Sequence, residues 1–595
     1  FGGGGGASGG AGGFGGGGGD SPGLHGAGGF GGGTPSNSYT ALGGGGGLGA
    51  GGDIFVQQGG TLTIEGDGTL SGGSVTGGAG GDSPPANGRA LGSGMFLQGN
   101  GTLTFALSTG QSESISDVIT DQSGSGGTGA NAGSWGLLFN GTGSLTLAAA
   151  DSYSGGTTIS AGTLQLGSGS NNGSINGDVS DDATFLDDDA GSNTLNGVIS
   201  GSGIFKQIGT GTTILTGTDD VGGGTTIVAG TLQLGNGGTT GSLADLIADD
   251  GTLAIDHSDT VTWSTLILGS GAFAQIGAGS TIFTTAEGYL GGTTVANGTL
   301  QLGSGGSLAS GGAVAVSGGT FDLGTATQTS GALTLTGGLI ENGTLDSSAF
   351  GVQAGTVSAV LGGSGALTKS GSGTVTLSGT NTYGGGTTIS AGTLQLGSGG
   401  TSGSFVGNVT DNATLAEDHS NTVTWTTTIL GTGAFIQIGA GITIFNVAES
   451  YGGGTTVSNG TLQLGANGSL ASSGAVAVSG GTFDLGTLIQ TTGALSLTAG
   501  LIEDGTLDSS AFGVQAGAAS AVFGGSGALT KTGSGIVTLS GANMYSGGTT
   551  IDAGTLQIAG SGTLGAATGL VTVSGGTLDL GATTQTAGPL SLTAG

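Results

Sequence analysis

Apolar and polar residues alternate along this chain in runs of only four or five: TLTI at Thr61–Ile64, TLTF at Thr102–Phe105, TLQL at Thr163–Leu166, AVAV at Ala313–Val316 and TVTL at Thr374–Leu377. Period two is the pattern of a strand with one buried face. Glycine, asparagine, aspartate or serine closes most runs, so short strands between turns are predicted. Helices are not, because glycine falls every few residues and no 3.6-residue apolar stripe is present. In Thr163-Leu164-Gln165-Leu166 the alternation sends both leucines to a core and both polar side chains to water.

The runs themselves repeat. GGTTISAGTLQLG at Gly155–Gly167 returns in edited form at Gly223, Gly291, Gly385, Gly453 and Gly547. The glycine of each GTLQ falls at 162, 230, 298, 392, 460 and 554, so the spacings are 68, 68, 94, 68 and 94. A larger unit follows, one short and one long spacing in length: 230–391 is duplicated as 392–553, with Trp263 over Trp425, His257 over His419 and Lys369 over Lys531. Fixed repeats of short strands predict an all-β solenoid, whose coils bury leucines that one coil alone cannot bury. At roughly 20 residues per coil, each unit holds about eight coils. The competing architecture is an antiparallel sandwich array, for which Asn297-Gly298 and Asn342-Gly343 would serve as hairpin turns. Ala161 and Ala391 at the place of Asn297 argue against it, since alanine resists the φ > 0 that such a turn requires.

Composition narrows the function. The 595 residues hold 36 acidic and 4 basic side chains, a net charge of −32, and no cysteine. With only Arg89, Lys206, Lys369 and Lys531 available, nucleic acid and anionic membrane surfaces are excluded as partners. Disulfides and thiolate metal sites are excluded too. Glycine accounts for 150 residues, yet mean hydropathy is +0.25, too apolar and too regular for disorder. The glycines concentrate in 1–52 and 72–94, expected as flexible loops projecting from the rod. Residues 53–140 are read as N-terminal coils, in which GDIFVQQGGTLTIEG and GMFLQGNGTLTFALS align at an offset of 41, and 141–595 as the repeat solenoid. The chain starts at Phe1 without a signal peptide and stops mid-repeat at 595, so a fragment or mature region is expected.

Leu367–Gly397, LTKSGSGTVTLSGTNTYGGGTTISAGTLQLG, and Leu529–Gly560, LTKTGSGIVTLSGANMYSGGTTIDAGTLQIAG, share LTK-x-G-x-G, TLSG-x-N-x-Y and GGTT-x-x-x-GTLQ. This closely resembles the passenger-associated transport repeat, also called the autotransporter-associated β-strand repeat, of type V secreted proteins. Two copies are complete by this reading. The others keep mainly the second half, and GSGIFKQIGTGTTILTG at Gly201 replaces the LTK core. The resemblance implies a right-handed parallel β-helix, exported through a C-terminal outer-membrane barrel and displayed outside the cell as an adhesin-type stalk. Homo-association into filaments or bundles and surface glycans are the partner classes that follow.

Candidate chemistry is sparse. Tyr153, Tyr289, Tyr383, Tyr451 and Tyr545 each precede the GTLQ glycine by nine residues, with Val221 in the remaining copy. Exposed, they would form a ladder for stacking sugars, but the valine favours packing over a corner. Asp256-His257-Ser258 and Asp418-His419-Ser420 hold triad residue types, but neighbours on a strand point to opposite faces. G-x-S-x-G at Gly6–Gly10 lies in a glycine tract without the strand and helix an elbow needs. The cluster Asp181, Asp182, Asp187, Asp188 and Asp189 is read as a solvated turn, with Ca²⁺ binding as the alternative. No enzyme activity, catalytic residue, resident metal or cofactor is expected. A carbohydrate-binding or carbohydrate-active β-helix, a self-assembling fibre, and an ice- or mineral-binding threonine array are the other classes, and the 68/94 alternation argues against the last.

Overall fold

In the computed structural model each of the runs named above is a strand, and residues 9–21, 24–35, 43–81 and 86–593 are described. The only helix among them is one 3-10 turn, Gly129–Asn131. Every strand pairing described is parallel except Asp20–Ser21 with Leu24–His25. The strands fall into two compact units, 1–293 and 294–595.

In the first unit, Ile204–Gln207, Thr212–Leu215 and Thr218–Val221 form three sides of one coil. Thr225–Ile227 then returns to the first side and pairs with the strand it started from. On the second side Thr212 faces Thr231, which faces Thr252, which faces Ala272, each step close to the coil length expected from the sequence. This is a parallel β-solenoid, and the antiparallel array is excluded by the pairing. Period two makes the core: Leu232, Leu253 and Phe273 stack in register and are fully buried. In the second unit, Leu394, Leu415 and Phe435 repeat that column at the equivalent positions of the duplicate. Each such side chain contributes about 1.5–3 kcal/mol relative to exposure.

The repeat spacings translate into geometry. In the second unit, Thr299–Leu302 and Thr393–Leu396 are separated by the long spacing and lie in one sheet, linked by five successive pairings. Thr461–Leu464 and Thr555–Ile558 are likewise five pairings apart. The spacing of 94 is therefore five whole coils. From Thr393–Leu396 the shorter spacing makes three pairings and then passes one corner, so Thr461–Leu464 sits in a different sheet. The first unit shows the same step from Thr163–Leu166 to Thr231–Gly238. The long spacing fits five coils because some of them are short, as between Leu339 and its partner Thr356.

The corners explain the invariant glycine of GTLQ. Gly392 has φ +68, and a Cβ there would meet Gly371 O at 2.5 Å and Gly373 O at 2.4 Å. The G-x-G of the LTK-x-G-x-G run thus lies directly beneath the glycine of GTLQ, one coil earlier. Asn342 (φ 58) and Gly343 (φ 47) both take the left-handed region, as a tight hairpin would require, but they turn a corner between two different sheets.

The glycine-rich tracts pair through their backbones. In the described part, Gly12, Gly15, Gly18 and Gly29 donate to Ala27, Phe30, Gly33 and Gly16, and Gly46 and Gly78 donate to Ala86 and Gly47. A Cβ at Gly17, Gly29, Gly45 or Gly46 would lie within 1.8 Å of a neighbouring carbonyl oxygen. The absence of side chains lets extended backbones pack and pair directly, which composition alone reads as looseness. The offset of 41 between the two N-terminal runs is the register in which Phe55 faces Phe96, their rings 5.7 Å apart and stacked.

Candidate functional site

Aligned on the GTLQ glycine, the six copies place polar side chains at fixed positions, and the structure pairs nearly all of them within the solenoid. Twenty-three residues before that glycine stand Lys369 and Lys531, both fully buried. Lys369 Nζ donates to Ser370 O, Gly371 O and Ala391 O, each at 2.8 Å, and Lys531 Nζ donates to Thr532 O, Gly533 O and Ala553 O at 2.8, 2.8 and 3.0 Å. Burial pushes both ammonium pKa values down. Gln207, Gln275 and Gln437 hold the same position elsewhere and donate to Gly209 O, Gly277 O and Gly439 O at 2.9–3.0 Å. The side chain before the G-x-G corner supplies a donor to its carbonyls, with or without charge.

The tyrosines are buried at 0–1% exposure. Each hydroxyl pairs with the threonine four residues on, Tyr153 with Thr157, Tyr289 with Thr293, Tyr383 with Thr387, Tyr451 with Thr455 and Tyr545 with Thr549, at 2.7–2.8 Å. None of these five rings offers a face to a sugar. In the copy with Val221, Thr225 Oγ1 is left buried without a partner. The glutamine of GTLQ is not simply solvated. It donates to an aspartate on the next coil in every copy: Gln165 to Asp188, Gln233 to Asp256, Gln301 to Asp322, Gln395 to Asp418, Gln463 to Asp484 and Gln557 to Asp579, at 2.5–3.2 Å.

A sixfold position that the sequence reading missed lies eleven residues before the glycine: Asp151, Asp219, Glu287, Asn381, Glu449 and Asn543, all buried. Each accepts a backbone N–H from an adjacent coil, of Ile119, Ile199, Ile267, Leu361, Ile429 and Phe523, at 2.6–2.9 Å. Lining up the copies shows the signal as a column of short polar residues able to accept.

His257 and His419 build no triad. His257 Nδ1 faces Asp259 Oδ1 at 3.1 Å and its Nε2 contacts Gly241 O at 2.6 Å, while Asp256 takes Gln233 and Ser258 Oγ donates to Gly238 O. His419 Nδ1 hydrogen-bonds Glu417 Oε1, and Trp425 Nε1 donates to Glu417 Oε2 at 3.2 Å. The Glu417 bond raises the His419 pKa against its burial. Ile255 stands where Glu417 does in the other copy, so Trp263 Nε1 there is buried without a partner. Beside each tryptophan is a small cavity, about 320 Å³ at Trp425 with Phe405 and Val406, and about 200 Å³ at Trp263 with Leu243.

The acidic cluster splits. Asp181, Asp187 and Asp189 are buried, whereas Asp182 is exposed and its pKa is lowered by the Ser202 N–H and hydroxyl. Asp187 accepts from Asn193 Nδ2 at 2.9 Å and Thr213 Oγ1 at 2.7 Å, and Asp189 accepts from Gly173 N at 2.8 Å. Burial pushes Asp189 to about 7, helped by Asp187 beside it. No group of three or more potential metal ligands is assembled among the described residues. The G-x-S-x-G run includes Ala7 and Ser8, which lie outside the described residues.

Comparison with known proteins places these features. The passenger-associated-transport-repeat model matches six times, at residues 140–166, 205–234, 273–302, 367–396, 435–464 and 529–558. The first half of the repeat is therefore present in more copies than the two that look complete, with glutamine in place of the LTK lysine in three of them. The chain is also 31% identical over 462 residues to Adhesin BmaC autotransporter of Brucella suis biovar 1 (strain 1330), an alignment covering 71% of this chain and 12% of that protein. No solved structure matches. No helix among the described residues is long and apolar enough to cross a membrane.

Proposed function

We infer that this chain, an autotransporter passenger solenoid displayed at the cell surface, serves there as an adhesin-type stalk. Passenger sequence implies an export barrel in the outer membrane, C-terminal to the solenoid. The observation that carries the stalk reading is where the repeated polar residues go. At the lysine, tyrosine, glutamine and acid positions the side chains are spent on neighbouring backbone and side chains of the solenoid itself. A scaffold needs that, and a catalytic groove does not. We propose a non-enzymatic role for the same reason, and Adhesin BmaC autotransporter by its name gives adhesion as the activity of the whole protein. The partner is then a second surface, bearing glycans or a second copy of the chain.

The test is display. The chain fused to an outer-membrane barrel, with surface exposure verified by antibody, is expected to increase attachment to epithelial monolayers or aggregation of the displaying cells. Inhibition by added free sugars would assign the contact to glycans. Full surface display with neither attachment nor aggregation would overturn the adhesive reading.

A further inference from the structure

The position eleven residues before each GTLQ glycine holds a natural substitution series. Asn381 and Asn543 use both ends of the side chain: Oδ1 accepts the N–H of Leu361 or Phe523, and Nδ2 donates to Gly379 O and Ser404 O or to Thr563 O. Asp151, Asp219 and Glu449 make the same accepting bond to Ile119, Ile199 and Ile429. Their second oxygens, Asp151 Oδ2, Asp219 Oδ2 and Glu449 Oε1, are buried and have no partner. A carboxylate cannot donate, whereas a protonated carboxyl can, so only the acid form matches the asparagine. Glu287 is the partial exception, because Thr285 Oγ1 donates to its Oε1 at 2.6 Å.

The groups facing these acids add no positive charge. Tyr153 faces Asp151, Tyr289 faces Glu287 together with Asp249, and Tyr451 faces Glu449 together with Asp411. Asp220 adjoins Asp219 in the chain, and Asp245 accepts from the next residue, Val221 N. Among the described residues no lysine, arginine or histidine forms an ion pair with any of the four acids.

We propose that Asp151, Asp219 and Glu449 are proton-dependent clamps, which make the solenoid more stable in mildly acid than in mildly alkaline solution. Each takes a proton from solvent and becomes a buried neutral acid that accepts at one oxygen and carries the proton on the other, so that no unpaired charge stays buried. Burial raises Asp219 to about 6 and Glu449 to about 7, and raises Asp151 well above the usual carboxylate range. Folded pKa values above the unfolded ones mean that the native chain binds the extra protons. Stability is then full below the unfolded carboxyl range near pH 4 and is lost as pH rises through about 6 to 7. Asp181, Asp249 and Asp411, each raised to about 6 by burial, act in the same direction.

The test is urea unfolding of the whole chain at pH 5.5 and pH 8, followed by the triple variant Asp151→Asn, Asp219→Asn, Glu449→Gln. The wild type is expected to unfold at higher urea at pH 5.5. The triple variant should gain stability at pH 8 and lose part of the pH dependence, while the exposed control Asp220→Asn keeps the wild-type slope. Infrared difference spectra between the two pH values provide a readout independent of folding yield, since the protonated-carboxyl stretch should shrink in the triple variant. A wild type that is less stable at pH 5.5, or a triple variant with unchanged slope and unchanged carboxyl signal, would overturn the proposal.

Discussion

Lys369 and Lys531 occupy the buried position that Gln207, Gln275 and Gln437 hold in sister copies, and all five donate to the carbonyls of a glycine corner. The position demands a donor rather than a charge. Lys369→Gln is therefore expected to change stability by less than about 1 kcal/mol, whereas Lys369→Met, which leaves three part-buried carbonyls without their donor, should cost about 1–3 kcal/mol. Urea denaturation of the two variants side by side decides it, and equal losses would show that the charge itself matters. The acidic cluster is argued at the same scale. Asp187 and Asp189 already accept from Asn193, Thr213 and Gly173. Millimolar Ca²⁺ is expected to leave the thermal midpoint unchanged, and a saturable rise lost in Asp189→Asn would assign a cation site there.

At the scale of the element, the rung between GTLQ and the next coil is the unit of registration. A double-mutant cycle with Gln395→Ala and Asp418→Ala should return a coupling of about 0.5–1.5 kcal/mol, measured by urea unfolding. Additive losses would reduce the bond to an incidental contact. These rungs also mark where sequence reading stopped. Strands, buried leucines and the packing of Tyr383 were legible, because period two and the Val221 exchange are local signals. Gln395 meets Asp418 only across a full coil, and coil length varies from the short turn between Leu339 and Thr356 to the longer one between Thr393 and Thr414. Contacts across coils therefore cannot be registered from spacing alone. The acceptor column from Asp151 to Asn543 was hidden because Asp, Glu and Asn look unrelated until their shared bond is seen. The glycine pairings, such as Gly12 N–H to Ala27 O, were not legible for the opposite reason. Backbone pairing between glycines leaves no side-chain pattern to read.

For the whole molecule, the spacings 68 and 94 acquire a meaning that only the fold supplies. Five coils keep a repeat on its sheet, and three coils plus one corner move it to the next. In the second unit, Thr299–Leu302 and Thr393–Leu396 share a sheet that Thr461–Leu464 and Thr555–Ile558 have left. Equivalent repeats within that unit thus lie on different sides of the coil. With 36 acidic residues against 4 basic ones, the chain carries a strongly negative net charge.

The central claim is that the chain winds in short parallel coils with the repeat as their fastener, and engineered cysteines test it most directly because the chain has none of its own. Thr388 and Thr410 face each other across adjacent coils, whereas Thr424 lies in another sheet. Mild oxidation of Thr388→Cys/Thr410→Cys should give an intramolecular disulfide, and Thr388→Cys/Thr424→Cys should give none. No disulfide in the first pair, or equal yields in both, would contradict the coil register.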